Sequence, residues 1–195
     1  MKKIIAMSGL FVATLALAGC SVFGNSGVEV APYTVLKTSE PFELRHYEEL
    51  ILVSTPMQGE GDQGSSFGKL FDYISGENQN TAKIAMTAPV FLDQAQAPSE
   101  TMSFVLPADY SIESAPIPND PNVKLERISN YTVATITFNG RLKQASIEKH
   151  TQLLQDWINA SNLKIIGPAK AAGYNPPFTL PAFRRNEVMI PVEKG

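Results

Sequence analysis

The strongest constraint on the fold is an order of secondary structure that repeats in the two halves of the chain. Each half is predicted to contain two strands, a helix and two more strands. A proline-rich segment at residues 115–121 separates the halves. Eight strands with only two helices do not suit the alternating strand–helix order of a parallel sheet. The pattern predicts an α+β fold, a distorted antiparallel β-barrel of two β-β-α-β-β pseudo-repeats with two flanking helices.

Hydrophobic periodicity gives the predicted bounds of these elements. The first helix begins at Ser65 or Ser66, either of which can cap it, and ends at Gly76. The second helix covers Gln144–Ala160. A weakly alternating strand, Tyr33–Lys37, comes before the repeats. The repeated strands are Phe42–Tyr47, Leu50–Thr55, Ile84–Leu92, Met102–Leu106, Val123–Ile128, Tyr131–Phe138, Lys170–Tyr174 and Glu187–Val192.

The N-terminus has the pattern of a secretory signal peptide. Lys2 and Lys3 precede an apolar run, Ile4–Ala18, which ends in small residues. The run is shorter than the roughly 20 residues that a membrane-spanning helix needs. We therefore expect a cleaved signal peptide at residues 1–19, a tether at residues 20–31 and a single ligand-binding domain at residues 32–193.

Cys20, the only cysteine of the chain, stands directly after that run. The sequence Leu17-Ala18-Gly19-Cys20 resembles the lipobox of bacterial lipoproteins. The resemblance implies that Cys20 becomes the first residue and carries lipid. Ser21 after it implies the periplasmic face of the outer membrane in the cell envelope. The alternative is a cleaved signal that leaves a free thiol at Cys20.

Charge and composition exclude several function classes. The net charge is −3, and the signal peptide removes two of the 16 basic residues, so we expect no nucleic-acid partner. With Cys20 lipidated, the chain has no disulfide, cysteine zinc site or cysteine nucleophile. His46 and His150 are the only histidines, which argues against a metal site built from several histidines.

Two glycine motifs are interpreted as structural. Residues 59–64 match G-x-G-x-x-G, but Glu60 and Asp62 would place carboxylates where a dinucleotide has its pyrophosphate. Residues 64–68 match G-x-S-x-G, but a polar loop precedes Ser66, where a nucleophile elbow needs a strand. A flexible loop and a serine helix cap are the simpler interpretations.

Three segments of the sequence are informative together. They are Phe42-Glu43-Leu44-Arg45-His46-Tyr47, then Lys83-Ile84-Ala85-Met86-Thr87-Ala88-Pro89-Val90, and finally Gly173-Tyr174-Asn175-Pro176-Pro177-Phe178, which continues to Arg185-Asn186-Glu187-Val188. In their order and spacing, these segments resemble the SOUL haem-binding protein family. The resemblance implies a barrel of two pseudo-repeats, as in the related effector-binding domains. It also implies non-covalent binding of haem or another tetrapyrrole, without catalysis.

A tetrapyrrole needs a flat apolar slot and cations for its propionates. We expect Phe67 and Leu70 of the first helix to supply apolar surface, and Lys69, Arg184 or Arg185 to meet the carboxylates. From the matched segments, the expected cofactor-binding residues are His46, Met86 and Tyr174. His46 matches the position of a histidine proposed as the iron ligand in some family members, although other members lack it. His150, on the apolar face of the second helix, is the rival ligand.

Two other functions stay open from the sequence. A hydrolase of small hydrophobic substrates would need an acid or nucleophile inside the barrel, and Glu43, Tyr47 and Tyr174 are its candidates. An envelope interaction protein would use the barrel only as a scaffold, and a filled core without a cavity would favour it. The sequence identifies neither the natural ligand nor the oligomeric state.

Overall fold

The computed structural model describes residues 27–57, 60–93 and 100–195. The predicted signal peptide, the lipidation of Cys20 and most of the predicted tether lie outside these ranges. Within them, no helix has both the length and the apolar character required to cross a bilayer.

Ten strands and two α-helices make up the described part of the chain. Short 3-10 turns lie at Glu60–Asp62 and Pro181–Phe183. The strands and helices are β1 (Glu29–Val30), β2 (Thr34–Ser39), β3 (Phe42–Met57), α1 (Gln63–Ser75), β4 (Thr87–Ala88), β5 (Val90–Asp93), β6 (Glu100–Val105), β7 (Lys124–Phe138), α2 (Gln144–Ala160), β8 (Leu163–Ile165), β9 (Lys170–Gly173) and β10 (Asn186–Lys194).

Six antiparallel strands close into a barrel in the order β3-β6-β5-β9-β10-β7, and β7 pairs again with β3. Strand β2 extends β3 as a hairpin, and β8 pairs with β10. The prediction of an antiparallel α+β barrel with two helices is confirmed. β1 pairs in parallel with β4, and Ala31 is buried, so the fold already includes residues assigned to the tether.

Two long strands replace two predicted pairs of short ones. β3 joins the segments predicted as Phe42–Tyr47 and Leu50–Thr55, and β7 joins the corresponding pair in the second half. On β3, the residues that face the barrel interior are Arg45 and Tyr47 before this junction, but Leu50 and Leu52 after it. The alternation of inward and outward side chains therefore shifts by one residue within β3. In the sequence, such a shift looks the same as a break between two separate strands.

Other predicted bounds also need correction. The predicted strand Ile84–Leu92 is divided into β4 and β5 around Pro89, which cannot donate to a strand ladder. Helix α1 begins before the predicted serine caps, and Ser66 is buried inside it, where its hydroxyl donates to the Pro56 carbonyl. The helix ends at Gly76 as predicted, with φ of 122°. Helix α2 has the predicted bounds.

Two hydrophobic clusters lie on opposite faces of the barrel wall. We call the cluster between the helices and the wall the outer core; it includes Leu70 of α1 and Leu154 of α2. We call the cluster that fills the barrel the inner core; it includes Tyr47, Phe91 and Met189. Side chains occupy the interior of the barrel, as is usual for one of this size. A ligand must therefore bind at a barrel end or outside the wall.

A cleft above a buried ion cluster

The inner core contains a buried ion pair that joins two strands. Arg45 of β3 donates from Nη1 to Oε2 of Glu187 at 2.7 Å and from Nη2 to Oε1 at 3.0 Å. Glu187 lies on β10, and β7 separates the two strands in the barrel wall. Arg45 is 2% exposed and Glu187 0%. This two-point geometry fixes both side chains, because a guanidinium and a carboxylate match as parallel forks.

Three more side chains donate to the same carboxylate. Arg185 donates from Nη2 to Glu187 Oε1 at 2.6 Å, and its guanidinium lies 4.0 Å from the centre of the Tyr174 ring. The Tyr174 hydroxyl donates to Oε2 at 2.8 Å, and the Thr137 hydroxyl donates to Oε1 at 3.2 Å. We call Arg45, Tyr174, Arg185 and Glu187 the ion cluster.

The ion cluster holds its members in defined protonation states. Burial opposes a charge on Glu187, but the guanidiniums of Arg45 and Arg185 keep its pKa below the ordinary value. Burial raises the pKa of Tyr174 well above the ordinary value, and the charge of Glu187 raises it further. At neutral pH, Glu187 is therefore a charged acceptor and Tyr174 a neutral donor.

A cleft of about 860 Å³ opens above the ion cluster. This volume falls in the range of small-molecule sites, roughly 300–1,000 Å³. Phe42, whose ring stacks on Trp157 of α2, and Phe183 give the cleft apolar surface. Its lining residues are Tyr33, Glu40, Pro41, Phe42, Glu43, Arg45, Thr137, Asn139, Ala182, Phe183 and Arg185.

Charged groups mark the inner side of this cleft. The guanidinium of Arg45 lies 4.4 Å from the centre of the Tyr33 ring and also donates from Nε to Glu43 at 2.7 Å. Glu43 is partly buried, and Arg185 keeps part of its surface exposed. A ligand in the cleft would therefore meet aromatic rings, the partly exposed guanidinium of Arg185 and the carboxylate of Glu43.

Of the predicted cofactor-binding residues, the structure brings Tyr174 and Arg185 into this region. Arg184 is their neighbour, but its guanidinium donates to the backbone carbonyls of Pro177 and Thr179, the latter at 2.8 Å. Arg184 thus stabilises the loop before β10.

The other predicted apolar and cationic residues, three of them on α1, lie elsewhere. Phe67 packs edge-on against Phe104 and remains partly exposed. Leu70 is fully buried in the outer core and presents no surface to a ligand. Lys69 lines a separate polar pocket of about 380 Å³, and Met86 packs against the outer core. The predicted set therefore does not form a single site.

Neither histidine lines the cleft. His46 Nδ1 lies 3.0 Å from the Thr132 hydroxyl, and its side chain is on the strand face opposite Arg45. His150 stacks on Phe138 at 3.9 Å and donates from Nδ1 to the carbonyl of Ser146 at 2.7 Å. Across the described ranges, no group of three or more histidine, cysteine, aspartate or glutamate residues could hold a metal ion.

The sequence analysis missed Arg45 and Glu187 as site residues. Both stand in the segments that carry the family resemblance, and Glu187 is the single charge in the run Asn186–Val192. A charged residue at an inward position of an apolar strand is the available signal. The pattern alone cannot pair two such residues 142 positions apart.

Comparisons with known proteins agree with this architecture. The chain is 30% identical to heme-binding protein 1 of Xenopus tropicalis over 161 residues, which cover 78% of this chain and 84% of the relative. It is 30% identical to mouse heme-binding protein 2, with 82% of each covered. A solved hydrolase from Listeria innocua has the same fold, with a TM-score of 0.56 at 11% identity, covering 81% of this chain and 94% of the hydrolase chain. A family model described as SOUL heme-binding protein matches residues 28–191. The chain belongs to the SOUL heme-binding protein family.

Proposed function

We propose that this protein binds haem or a related tetrapyrrole non-covalently in the cleft above the ion cluster. The observation that carries the proposal is the combination of an apolar aromatic wall, Phe42 and Phe183, with the guanidinium of Arg185 in one cleft of tetrapyrrole size. Membership of the SOUL family and the names of the two relatives support the same ligand class.

The lining residues fit the periphery of a tetrapyrrole. Rings and aliphatic side chains suit the flat apolar faces, and the partly exposed Arg185 suits a propionate at the edge. Haem would supply an iron that accepts axial ligands. Among the described lining residues, the phenol of Tyr33 is the side chain of a type that ligates haem iron. The protein's own contribution is to bind and orient the group.

Titration with hemin tests this proposal. We expect a saturable, shifted Soret band at micromolar hemin. The Phe183→Ser variant removes apolar surface from the cleft and should raise the dissociation constant about tenfold. The matched variant Phe67→Ser, on α1, should leave it unchanged. If Phe67→Ser raised the dissociation constant and Phe183→Ser left it unchanged, the site would lie at α1 instead. No band shift in the native protein would overturn haem binding.

The His46→Ala variant tests the predicted iron ligand separately. Since His46 does not line the cleft, we expect the band position of bound hemin to stay unchanged. A shifted band would assign the iron to His46 and overturn the cleft as the site.

Hydrolysis of a small hydrophobic substrate is a second candidate, favoured by one observation. Glu43 is a partly buried carboxylate in the cleft lining, where it could act as a general base. Tyr47 and Tyr174, its companion candidates, are buried in the inner core. Turnover of small apolar esters that Glu43→Gln abolishes would support hydrolysis, and no turnover by the native protein would exclude these substrates. A third candidate, a scaffold without a ligand, is disfavoured by the 860 Å³ cleft.

For the location, we propose a lipid anchor on Cys20 at the periplasmic face of the outer membrane. The sequence pattern at residues 1–21 supports it. Metabolic labelling with a radioactive fatty acid in a bacterial host should mark the native chain. The Cys20→Ala variant should carry no label and should leave the membrane fraction. Label on the variant would contradict the proposal.

A further inference from the structure

The loop before β10 exposes three large apolar side chains. Phe178 is 85% exposed, Leu180 65% and Phe183 72%. We call residues 174–185 the apolar loop. Isolated exposed apolar residues are common, but three of them on one loop are typical of an interaction surface.

Hydrogen bonds hold the apolar loop in this conformation. The amide of Thr179 donates to the carbonyl of Pro176 at 3.0 Å in one turn, and the amide of Phe183 donates to the carbonyl of Leu180 at 2.9 Å in the next. The side chain of Arg184 joins the two turns through the carbonyls of Pro177 and Thr179. The exposed side chains therefore extend from an ordered backbone, and a partner that covers them has little loop entropy to overcome.

A second loop with basic residues supports the apolar loop. The amide of Gly140 donates to the Pro181 carbonyl at 2.9 Å, and the Asn139 side chain donates to the Ala182 carbonyl at 3.0 Å. Residues 139–143 and 174–185 contain no aspartate or glutamate. They contain Arg141, Lys143, Arg184 and Arg185, although the whole chain is acidic at −3. These two loops are therefore cationic, although Arg185 is paired with Glu187 and the adjoining cleft carries Glu40 and Glu43.

We propose that the apolar loop inserts into the interface of a lipid bilayer that carries anionic headgroups, and that the cleft then opens at the lipid surface. Apolar side chains that reach the acyl boundary, with lysine and arginine at headgroup level, are the general pattern of interfacial binding. Phe183 belongs to both the apolar loop and the cleft, so the two are continuous.

The small extent of this surface favours a bilayer over a protein partner. A stable protein interface buries more than about 1,000 Å² in total, whereas this surface consists of three side chains on one narrow loop. Insertion of the loop itself rests on neither the anchor nor haem.

Tryptophan reporters in the full chain test the insertion. The native chain has one tryptophan, Trp157, which stacks on Phe42. Vesicles of phosphatidylethanolamine and phosphatidylglycerol with brominated acyl chains quench tryptophans that reach the acyl boundary. The Phe178→Trp variant should lose about half of its added emission, since interfacial side chains bury only about 5–10 Å deep. The matched variant Phe71→Trp, at an exposed apolar position on α1, should lose none.

The readouts separate this proposal from the anchor. Sedimentation with the vesicles reports any attachment, including that of the N-terminus, whereas quenching reports the loop alone. A sedimenting Phe178→Trp chain without quenching would overturn the insertion, as would equal quenching of the Phe71→Trp chain. The Phe178→Trp emission could also shift with protein concentration in the absence of lipid. That result would assign the loop to contacts between copies of the chain and would likewise overturn the insertion. Equal quenching on neutral phosphatidylcholine vesicles would overturn the role of the anionic headgroups.

Discussion

The outer and inner cores share the same barrel strands but differ in chemistry. On β10, Val188 and Ile190 face the outer core, while Glu187 and Met189 face inward. The outer core is an apolar layer that joins both helices to the wall. The inner core adds a buried carboxylate, and its guanidinium partner Arg45, to a similar apolar layer. One alternating strand thus supports both a general packing surface and a specific polar site.

This difference indicates separate roles for the two cores. Burial of apolar surface accounts for the attachment of the helices in the outer core. A buried ion pair adds little stability compared with apolar side chains of the same volume, because both charges lose their water. The ion cluster is therefore better explained by the cleft above it, where it fixes the position of Arg185, than by stability.

The largest expected effect comes from breaking the ion pair on one side. The Arg45→Met variant leaves Glu187 buried with one guanidinium partner fewer, and we expect a loss of about 3–5 kcal/mol in the free energy of unfolding. Urea denaturation measures it. The control is Arg127→Met, which removes an exposed arginine paired with Glu49 and Glu113 and should cost less than about 1 kcal/mol. Similar losses in the free energy of unfolding for the two variants would contradict the assignment of a buried, interdependent cluster.

The sequence predicted the general architecture because periodicity reports which face of an element is apolar. Helix α2 was predicted with its observed bounds, and Gly76 marked the end of α1. The long strands β3 and β7 were each predicted as two, since an alternation that slips inside a strand has the same pattern as a turn. Asn130, at the slip on β7, has a positive φ of 52°, which depends on local geometry rather than on periodicity.

The site was predictable only in part, for a related reason. Tyr174 and Arg185 were found because they stand in segments that match a family. Arg45 and Glu187 stand in the same segments, yet a charged residue on a strand is normally exposed. Their burial depends on each other across three strands of the barrel, and a pairing between distant residues is not encoded in the pattern of either strand.

The pH dependence of stability should distinguish the two cores. The folded state holds the pKa of Glu187 below the ordinary 4.5, so its stabilising contribution is full above that pH and is lost as the pH falls below it. The melting temperature of the native protein, measured between about pH 3 and pH 7, should therefore fall on the acid side. The Glu187→Gln variant should show a flatter acid slope.

The outer-core variant Leu154→Ala is the control for this slope. It removes a fully buried side chain and should lower stability by about 2–5 kcal/mol at every pH, without a change in slope. An unchanged acid slope in Glu187→Gln would assign the acid sensitivity to other carboxylates and would remove the electrostatic contrast between the cores.

The smallest expected effect separates two hydroxyls within the inner core. The Tyr131 hydroxyl is buried and has no hydrogen-bond partner among the described residues, whereas that of Tyr174 donates to Glu187. Tyr131→Phe removes a buried polar atom without breaking a bond, and it should be neutral or stabilising by up to about 1 kcal/mol. Tyr174→Phe should instead cost about 1–3 kcal/mol, because Glu187 loses a donor.

Urea denaturation of both variants compares their free energies of unfolding directly. A loss above about 1 kcal/mol in Tyr131→Phe would show that this hydroxyl binds an internal water, and that the polar part of the inner core extends beyond the ion cluster.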